Sequence, residues 1–289
     1  MIVVFGSINV DVLVPVPHLP AASETVLGGD YVVAPGGKGG NQALAAAKAG
    51  AAVTLIGTVG QDPFAETALS LLRRNGVYLN YITRVVQPTG CAIVTIDPAG
   101  ENQIAVAPCA NLRARATQVP DSVLDPRTVL VLQREVRDEE NAALIGRARQ
   151  RGGRIVFSLA PAGPIAPAKF DDLDYLIANE GEAATLGDPA EIARQLRQGL
   201  VITRGAEGAV AMLRDGSTIA VPALAIEPVD TTGAGDAFAG VFTAGLDRGL
   251  PLDLILRRAS AAASLSCLAM GAQAAMPDRK AIDEGLLRL

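Results

Sequence analysis

Short β-branched runs that alternate with Ala/Leu-rich stretches constrain the fold of this chain more than any other feature. Ile2–Phe5, Val53–Ile56, Val129–Leu132, Ile155–Leu159, Tyr175–Ala178 and Leu200–Thr203 are near-continuously apolar, as parallel strands covered on both faces must be. Helices are predicted over Asn41–Ala49, Pro63–Asn75, Asp138–Arg151, Ala190–Gln198, Ala237–Arg248, Leu252–Met270 and Arg279–Leu287. Asp62 fits the N-cap of the second of these, with Pro63 in its first turn. The alternation implies an α/β fold: a doubly wound, mostly parallel sheet with helices on both faces.

Two regions break that rhythm. Asn9–Val16 and Thr25–Ala34, and later Tyr81–Val86, Gly90–Asp97 and Asn102–Ala107, read as strands joined by turns such as Asp97-Pro98-Ala99-Gly100. Strands without intervening helices imply a small second sheet, built from about 9–34 and 81–107, that could act as a lid. The alternative is an edge extension of the main sheet. No repeat, low-complexity run or linker divides the chain, so residues 1–289 are expected to form one domain.

Composition narrows the chemistry. The chain is 49% hydrophobic, and one of this length can bury about three quarters of its unfolded surface. No charged leader precedes the first strand, and no apolar stretch reaches about 18 residues. A cytoplasmic protein without a membrane partner is therefore expected. A net charge of −5 disfavours a nucleic-acid surface. The single histidine, His18, lies among Pro15, Pro17 and Pro20 in a surface turn. Cys91, Cys109 and Cys267 are too scattered for a zinc site or a disulfide set. General base work must fall to a carboxylate.

The best placed carboxylate is Asp236, within Val229-Asp230-Thr231-Thr232-Gly233-Ala234-Gly235-Asp236-Ala237-Phe238-Ala239-Gly240. Gly233 and Gly235 fall where a helix begins, and the free N–H groups and positive dipole end of a first turn suit a phosphate or a developing anion. Asp236 sits in that field as a base, or simply caps the helix. A second glycine-rich segment, Ala34-Pro35-Gly36-Gly37-Lys38-Gly39-Gly40-Asn41-Gln42, lacks the spacing of a nucleotide P-loop. Its glycines, with Lys38 and Asn41 as donors, fit a hydroxyl-rich ligand instead. Asn9 and Asp11, one pleat apart, point the same way and could hold adjacent hydroxyls. An Asx turn after Ser7 is the local alternative.

Three segments together, Ser7-Ile8-Asn9-Val10-Asp11, Pro35 to Gln42 and Val229 to Gly240, resemble in order and spacing the motifs of the ribokinase-like (PfkB) carbohydrate kinases. The resemblance covers nearly the whole chain. It implies ATP-dependent phosphorylation of a sugar, D-ribose at O5 above others, with Mg²⁺ carried by ATP. It implies sugar contacts at Asn9, Asp11, Gly37, Lys38, Asn41 and Glu135, a catalytic base at Asp236, and an anion hole at Gly233, Ala234 and Gly235. Asn179 and Glu182 match an element tied to the phosphates and Mg²⁺. Thr203, Arg204, Gly205, Ala206, Glu207, Gly208 and Ser260 match positions near the nucleotide. Asp230, Thr232, Ser266, Ala269 and Gly271 match the surroundings of a monovalent cation, K⁺. Homodimerisation through the lid is expected.

Departures qualify this pattern. Ala275 stands where the family usually has a serine, which weakens the K⁺ site. Cys109 replaces a common glycine near the sugar, and Ser260 replaces a His or Asn near the base, which relaxes nucleotide preference. Deoxyribose, a ketohexose or a nucleoside are alternative substrates, and a catalytically silent sugar-binding protein is the alternative of another class.

Overall fold

The computed structural model describes residues 1–163 and 170–289. The chain opens with β1 (Ile2–Phe5), β2 (Asn9–Pro15) and β3 (Val32–Gly36), followed by helix α1 (Lys38–Lys48). Next come β4 (Val53–Gly60), α2 (Pro63–Arg74), β5 (Tyr78–Val85), β6 (Gly90–Ile96) and β7 (Asn102–Ala107). The middle of the chain holds β8 (Val129–Leu132), α3 (Asp138–Gln150), β9 (Arg154–Ser158), β10 (Tyr175–Asn179), α4 (Glu180–Ala184) and α5 (Pro189–Gln195). Then follow β11 (Gly199–Thr203), β12 (Ala209–Leu213), β13 (Thr218–Val221), α6 (Ala234–Asp247), α7 (Leu252–Ser266) and α8 (Arg279–Leu286).

Among the described residues the main sheet runs β13-β12-β11-β10-β9-β8-β1-β4-β5, parallel from β11 to β5. Each central strand feeds two cores, because successive side chains face opposite ways. Ile2 and Val4 join Phe238 and Phe242 on the α1, α6 and α7 side, whereas Val3 and Phe5 join Leu144 and Phe157 on the other. The sheet winds outward from β1 to β4 on one side and, after the small sheet, from β8 onward on the other. That reversal between β1 and β8 leaves a crevice at their carboxyl ends, where open α/β sheets bind ligands.

Two helices bring their N-termini to that crevice. In α1 the N-cap is Gly37, at φ 85°; in α6 it is Gly233, at φ 80°. Left-handed backbone of this kind suits glycine and starts both helices three residues earlier than the apolar pattern indicates. The helices pack backbone to backbone at Gly240, where a Cβ would lie 2.5 Å from the Gln42 carbonyl oxygen and 2.6 Å from Ala45 Cβ. Asp236 consequently lies inside the first turn of α6 and does not cap it. Asp62 does cap α2, accepting from the Ala65 N–H at 3.2 Å.

The second sheet is β3-β2-β6-β7. The strand at Tyr78–Val85, expected to belong to it, extends the main sheet instead, in parallel register with β4 (Ile56↔Tyr81, Gly57↔Ile82). Helix α2 supplies the crossover, and the half-exposed pattern of β5 reflects its place at an edge. Residues 25–31 are not strand either. Gly29 N donates to the Pro15 carbonyl at 2.8 Å and folds that stretch back as a loop. The β12–β13 hairpin at the other edge escaped the sequence reading, although Asp215-Gly216 at its turn is a hairpin signal.

Candidate active site

Asp236 is 6% exposed and accepts Asn41 Nδ2 and Gln42 Nε2, each at 2.9 Å. Burial pushes its carboxyl above the usual carboxylate range; Lys38 and the two amides pull back, and Glu135 adds to the rise. For Lys38, burial acts downward, but Asp236, Glu135, Glu182 and Asp11 outweigh it and hold the ammonium above its ordinary value. Lysine 38 is therefore a lasting positive charge facing a group of carboxylates.

On one side of Asp236 lies a cluster of polar side chains from β2, the β8–α3 loop and the start of α1. Asp11 is pushed up to about 6 by burial, with Glu135 and Asp236 adding to the effect and Lys38 opposing it. Gly36 makes room for it, since a Cβ there would lie 2.3 Å from both Asp11 carboxylate oxygens. Asn9 accepts Asn111 Nδ2 at 2.6 Å, and Asn111 Oδ1 accepts the Ile8 N–H at 2.9 Å. Glu135 accepts from the Ser7 hydroxyl and from the Lys38 N–H at 3.2 Å. The buried Asn41 Oδ1 has no hydrogen-bond partner among the described residues. Such an atom is costly unless a ligand hydroxyl reaches it. Cys109, near this end, holds φ 44°, a conformation that costs a non-glycine residue roughly 1 kcal/mol.

The other side opens into two cavities. The larger, about 480 Å³, is lined by Gly205, Ala206, Gly208, Leu224, Phe238 and Ser260 among others. A smaller one of about 180 Å³ is lined by Lys38, Asn179, Glu182, Gly233 and Asp236. Thr203 and Gly235 belong to both, so an apolar pocket leads past a helix N-terminus to the Asp236 carboxylate. The glycines of α6 differ in kind. A Cβ on Gly233 would lie 2.8 Å from Ala272 Cβ, whereas one on Gly235 would meet nothing within 4 Å. The first is a packing requirement; the second leaves backbone bare toward the cavities.

Arg204 and Glu207 turn away from the cavities, and several other side chains expected at the site are bonded to protein partners. Arg204 pairs with Glu180 at 3.5 Å and Glu207 is exposed, so neither side chain lines the cavities. Ser260 Oγ is committed to the Pro222 carbonyl at 2.7 Å. Asn179 and Glu182 form a reciprocal capping box, Glu182 N to Asn179 Oδ1 at 2.7 Å and Asn179 N to Glu182 Oε2 at 2.9 Å. Asp230 ties the α6 approach to the loop after α7, accepting the Thr232 N–H at 2.9 Å and the Gly271 N–H at 2.8 Å. Ser266 Oγ donates to the Ala263 carbonyl at 2.8 Å, and Ala269 is exposed. Among the described residues no three His, Cys, Asp or Glu side chains cluster as a metal site, and no helix is long and apolar enough to cross a membrane. Gln42, Gln133, Ser7 and Asn111 are parts of the site that went unassigned in the sequence. Gln42 is the one that carried a signal, a polar residue on the apolar side of an Ala-rich helix.

Residues 1–279 match the profile of the pfkB family carbohydrate kinases. Ribokinase of Bacillus subtilis is 34% identical over 288 residues, covering 98% of each chain. The structure of ribokinase from Thermotoga maritima superposes with a TM-score of 0.90 at 28% identity, covering 99% of both chains. That of Arabidopsis thaliana ribokinase complexed with ribose and ATP gives 0.89 at 30% identity, over 99% of this chain and 98% of that one. The chain belongs to the pfkB family of carbohydrate kinases.

Proposed function

We propose that this kinase transfers the γ-phosphoryl group of ATP to O5 of D-ribose, with Asp236 as general base. The observation that carries this reading is the position of Asp236 in the first turn of α6, where it lines the smaller cavity that continues into the apolar one and accepts from Asn41 beside the polar side chains of β2 and α1. The Arabidopsis relative is described with ribose and ATP bound, which matches one polar and one apolar half-site. Ribose would lie against Asn9, Asp11, Gly37, Asn41 and Glu135, and the nucleotide along Thr203 to Gly208 and Ser260. The Ala234 N–H donates to the Thr231 carbonyl at 3.2 Å, so the N–H groups of Gly233, Gly235 and Asp236, with the charged Lys38, would face the transferred group, where fixed positive potential stabilises a loose phosphoryl transition state most. Mg²⁺ carried by ATP would supply charge neutralisation at the phosphates. The donors present fit it, because Mg²⁺ keeps most of its waters and needs only one or two carboxylates, and Glu182 lines the smaller cavity with one carboxylate oxygen outside the capping box. Closure of the small sheet over the pocket would exclude water.

The residues do not fit a strong K⁺ site. Ala275 brings no side-chain oxygen, the Gly271 carbonyl accepts the Ala275 N–H at 3.1 Å, and both Asp230 oxygens hold backbone N–H groups. Coupled ADP release with MgATP against D-ribose, 2-deoxyribose, fructose, tagatose and adenosine, with and without K⁺, tests the assignment. D-ribose is expected to give the highest kcat/KM with little response to K⁺. A higher value for another acceptor would reassign the substrate.

Asp11 makes ribose binding pH-dependent. As a carboxylate it accepts two hydroxyls, and with its pKa raised to about 6 it is ionised above pH 7 and mostly protonated at pH 5. Ribose Kd by calorimetry is therefore expected to rise about tenfold from pH 7 to pH 5, and Asp11→Asn to flatten that dependence. A pH-independent Kd in the unmodified protein would remove Asp11 from the pocket.

The Asp11 face of the small sheet also carries Val32, Ile104 and Val106, 60%, 52% and 47% exposed. We infer a homodimer that covers this face and the sheet's open edges. Sedimentation at micromolar concentration should give twice the chain mass, and a monomer would contradict it.

A further inference from the structure

A buried chain of amide donors ends on Asp236 from outside both cavities. Gln133 Nε2 donates to Gln42 Oε1 at 2.9 Å, and Gln42 Nε2 donates to Asp236 Oδ1 at 2.9 Å. Asn141 Nδ2, in α3, anchors the start of the chain by donating to the Gln133 carbonyl at 2.7 Å. Gln42 and Gln133 are both 0% exposed and line neither cavity. The direction of donation is fixed by chemistry. An ionised carboxylate only accepts, so Gln42 must offer it the NH₂ group and turn its carbonyl to Gln133, which must then donate. Room for the Gln133 amide is left by Gly6 at the end of β1, where a Cβ would lie 1.8 Å from Gln133 Oε1.

The two carboxylate oxygens are thus held differently. Asn41, which fixes Oδ2, also has an unpartnered acceptor, Oδ1, and so can exchange partners when a sugar arrives. Gln42 is buried behind Asp236 and cannot. Resting on the kinase reading above, we propose that Gln42 and Gln133 are positioning residues: a rigid relay that anchors Oδ1 so that Oδ2 stays turned to the acceptor hydroxyl. Together they also stabilise the charged form of the base, Gln42 by donating to it directly and Gln133 by holding Gln42 in that orientation. They do so beside Lys38 of α1, Glu135 of the β8–α3 loop and Asp11 of β2, the charged groups that face it.

The relay is tested by kcat at saturating ribose and MgATP from pH 5 to 9, for the unmodified enzyme, Gln42→Met and Gln133→Met, with ribose Kd measured in parallel. Saturation removes Asp11-linked binding from the profile. Loss of a donor should move the acid limb of kcat up by about one pH unit. The activity loss should be about tenfold below the limb and smaller above it, with ribose Kd changed less than twofold. Gly6→Ala, which displaces Gln133 from the far end, should reproduce the shift and stands in for Gln42→Met should that variant not fold. An unmoved acid limb, or a Kd that weakens in step with kcat, would overturn the relay and leave a packing role. A folded unmodified enzyme silent on every sugar would instead remove the kinase reading itself.

Discussion

Asp236→Asn is expected to lower kcat about 10³-fold while leaving ribose binding and the fold intact. The size follows from the loss of a general base, typically 10²–10⁴-fold, with binding energy and the α6 N-terminus still in place. Stability should change little, because two effects oppose. An asparagine would present its own NH₂ group to one of the two amides that now donate to the carboxylate, an unfavourable donor–donor contact. In return, a buried carboxylate that burial has pushed upward no longer has to be charged inside the protein. Rapid-quench kinetics, ribose calorimetry and thermal unfolding on the same preparation separate these terms. Retention of more than a tenth of kcat would mean that Asp236 is not the base; loss of ribose affinity in proportion to kcat would make it a binding group.

Gly235→Leu should abolish nucleotide use without unfolding the protein. The backbone there is ordinary helix, and a Cβ would meet nothing within 4 Å. A Cβ there therefore costs no packing, and the rest of the side chain projects where the larger and smaller cavities join. ATP affinity should fall at least about 100-fold, since a filled pocket excludes the phosphates and the positive N-terminus of α6 loses its ligand. The melting temperature should stay level or rise slightly, as leucine is a better helix former than glycine. Gly233→Leu makes the contrast. At φ 80° with Ala272 Cβ 2.8 Å away, it should destabilise the fold outright. Equal loss of stability in both variants would contradict the division between a packing glycine and a ligand-facing one.

The architecture was legible because parallel strands covered on both faces leave unbroken apolar runs; Ile2–Phe5 and Val129–Leu132 are observed with the bounds expected for them. Edge strands were harder, because they are half exposed. Tyr78–Val85 carries the alternation of an antiparallel ribbon although α2 makes it a parallel partner of β4. The site was legible where chemistry sits beside glycine, as at Gly233–Asp236 and Gly36–Asn41. Its supporting residues were not. Gln133 follows a buried strand and Asn111 lies about a hundred residues from Asn9, whose side chain it holds. Such partners are set by the reversal of strand order between β1 and β8, and nothing in local spacing marks them. Arg204 and Glu207 show the converse, since a turn can match a motif while its charged side chains point away from the cavity it forms.

The most direct test of a base poised between a sugar pocket and a nucleotide cavity is the identity of the product. Phosphorus NMR of D-ribose mixed with MgATP and the enzyme should show one phosphomonoester on O5 for each ADP formed, with no inorganic phosphate above background. Inorganic phosphate in place of a sugar ester, or no ADP at all from a folded protein, would contradict a phosphoryl transfer in which Asp236 takes the proton of the ribose hydroxyl.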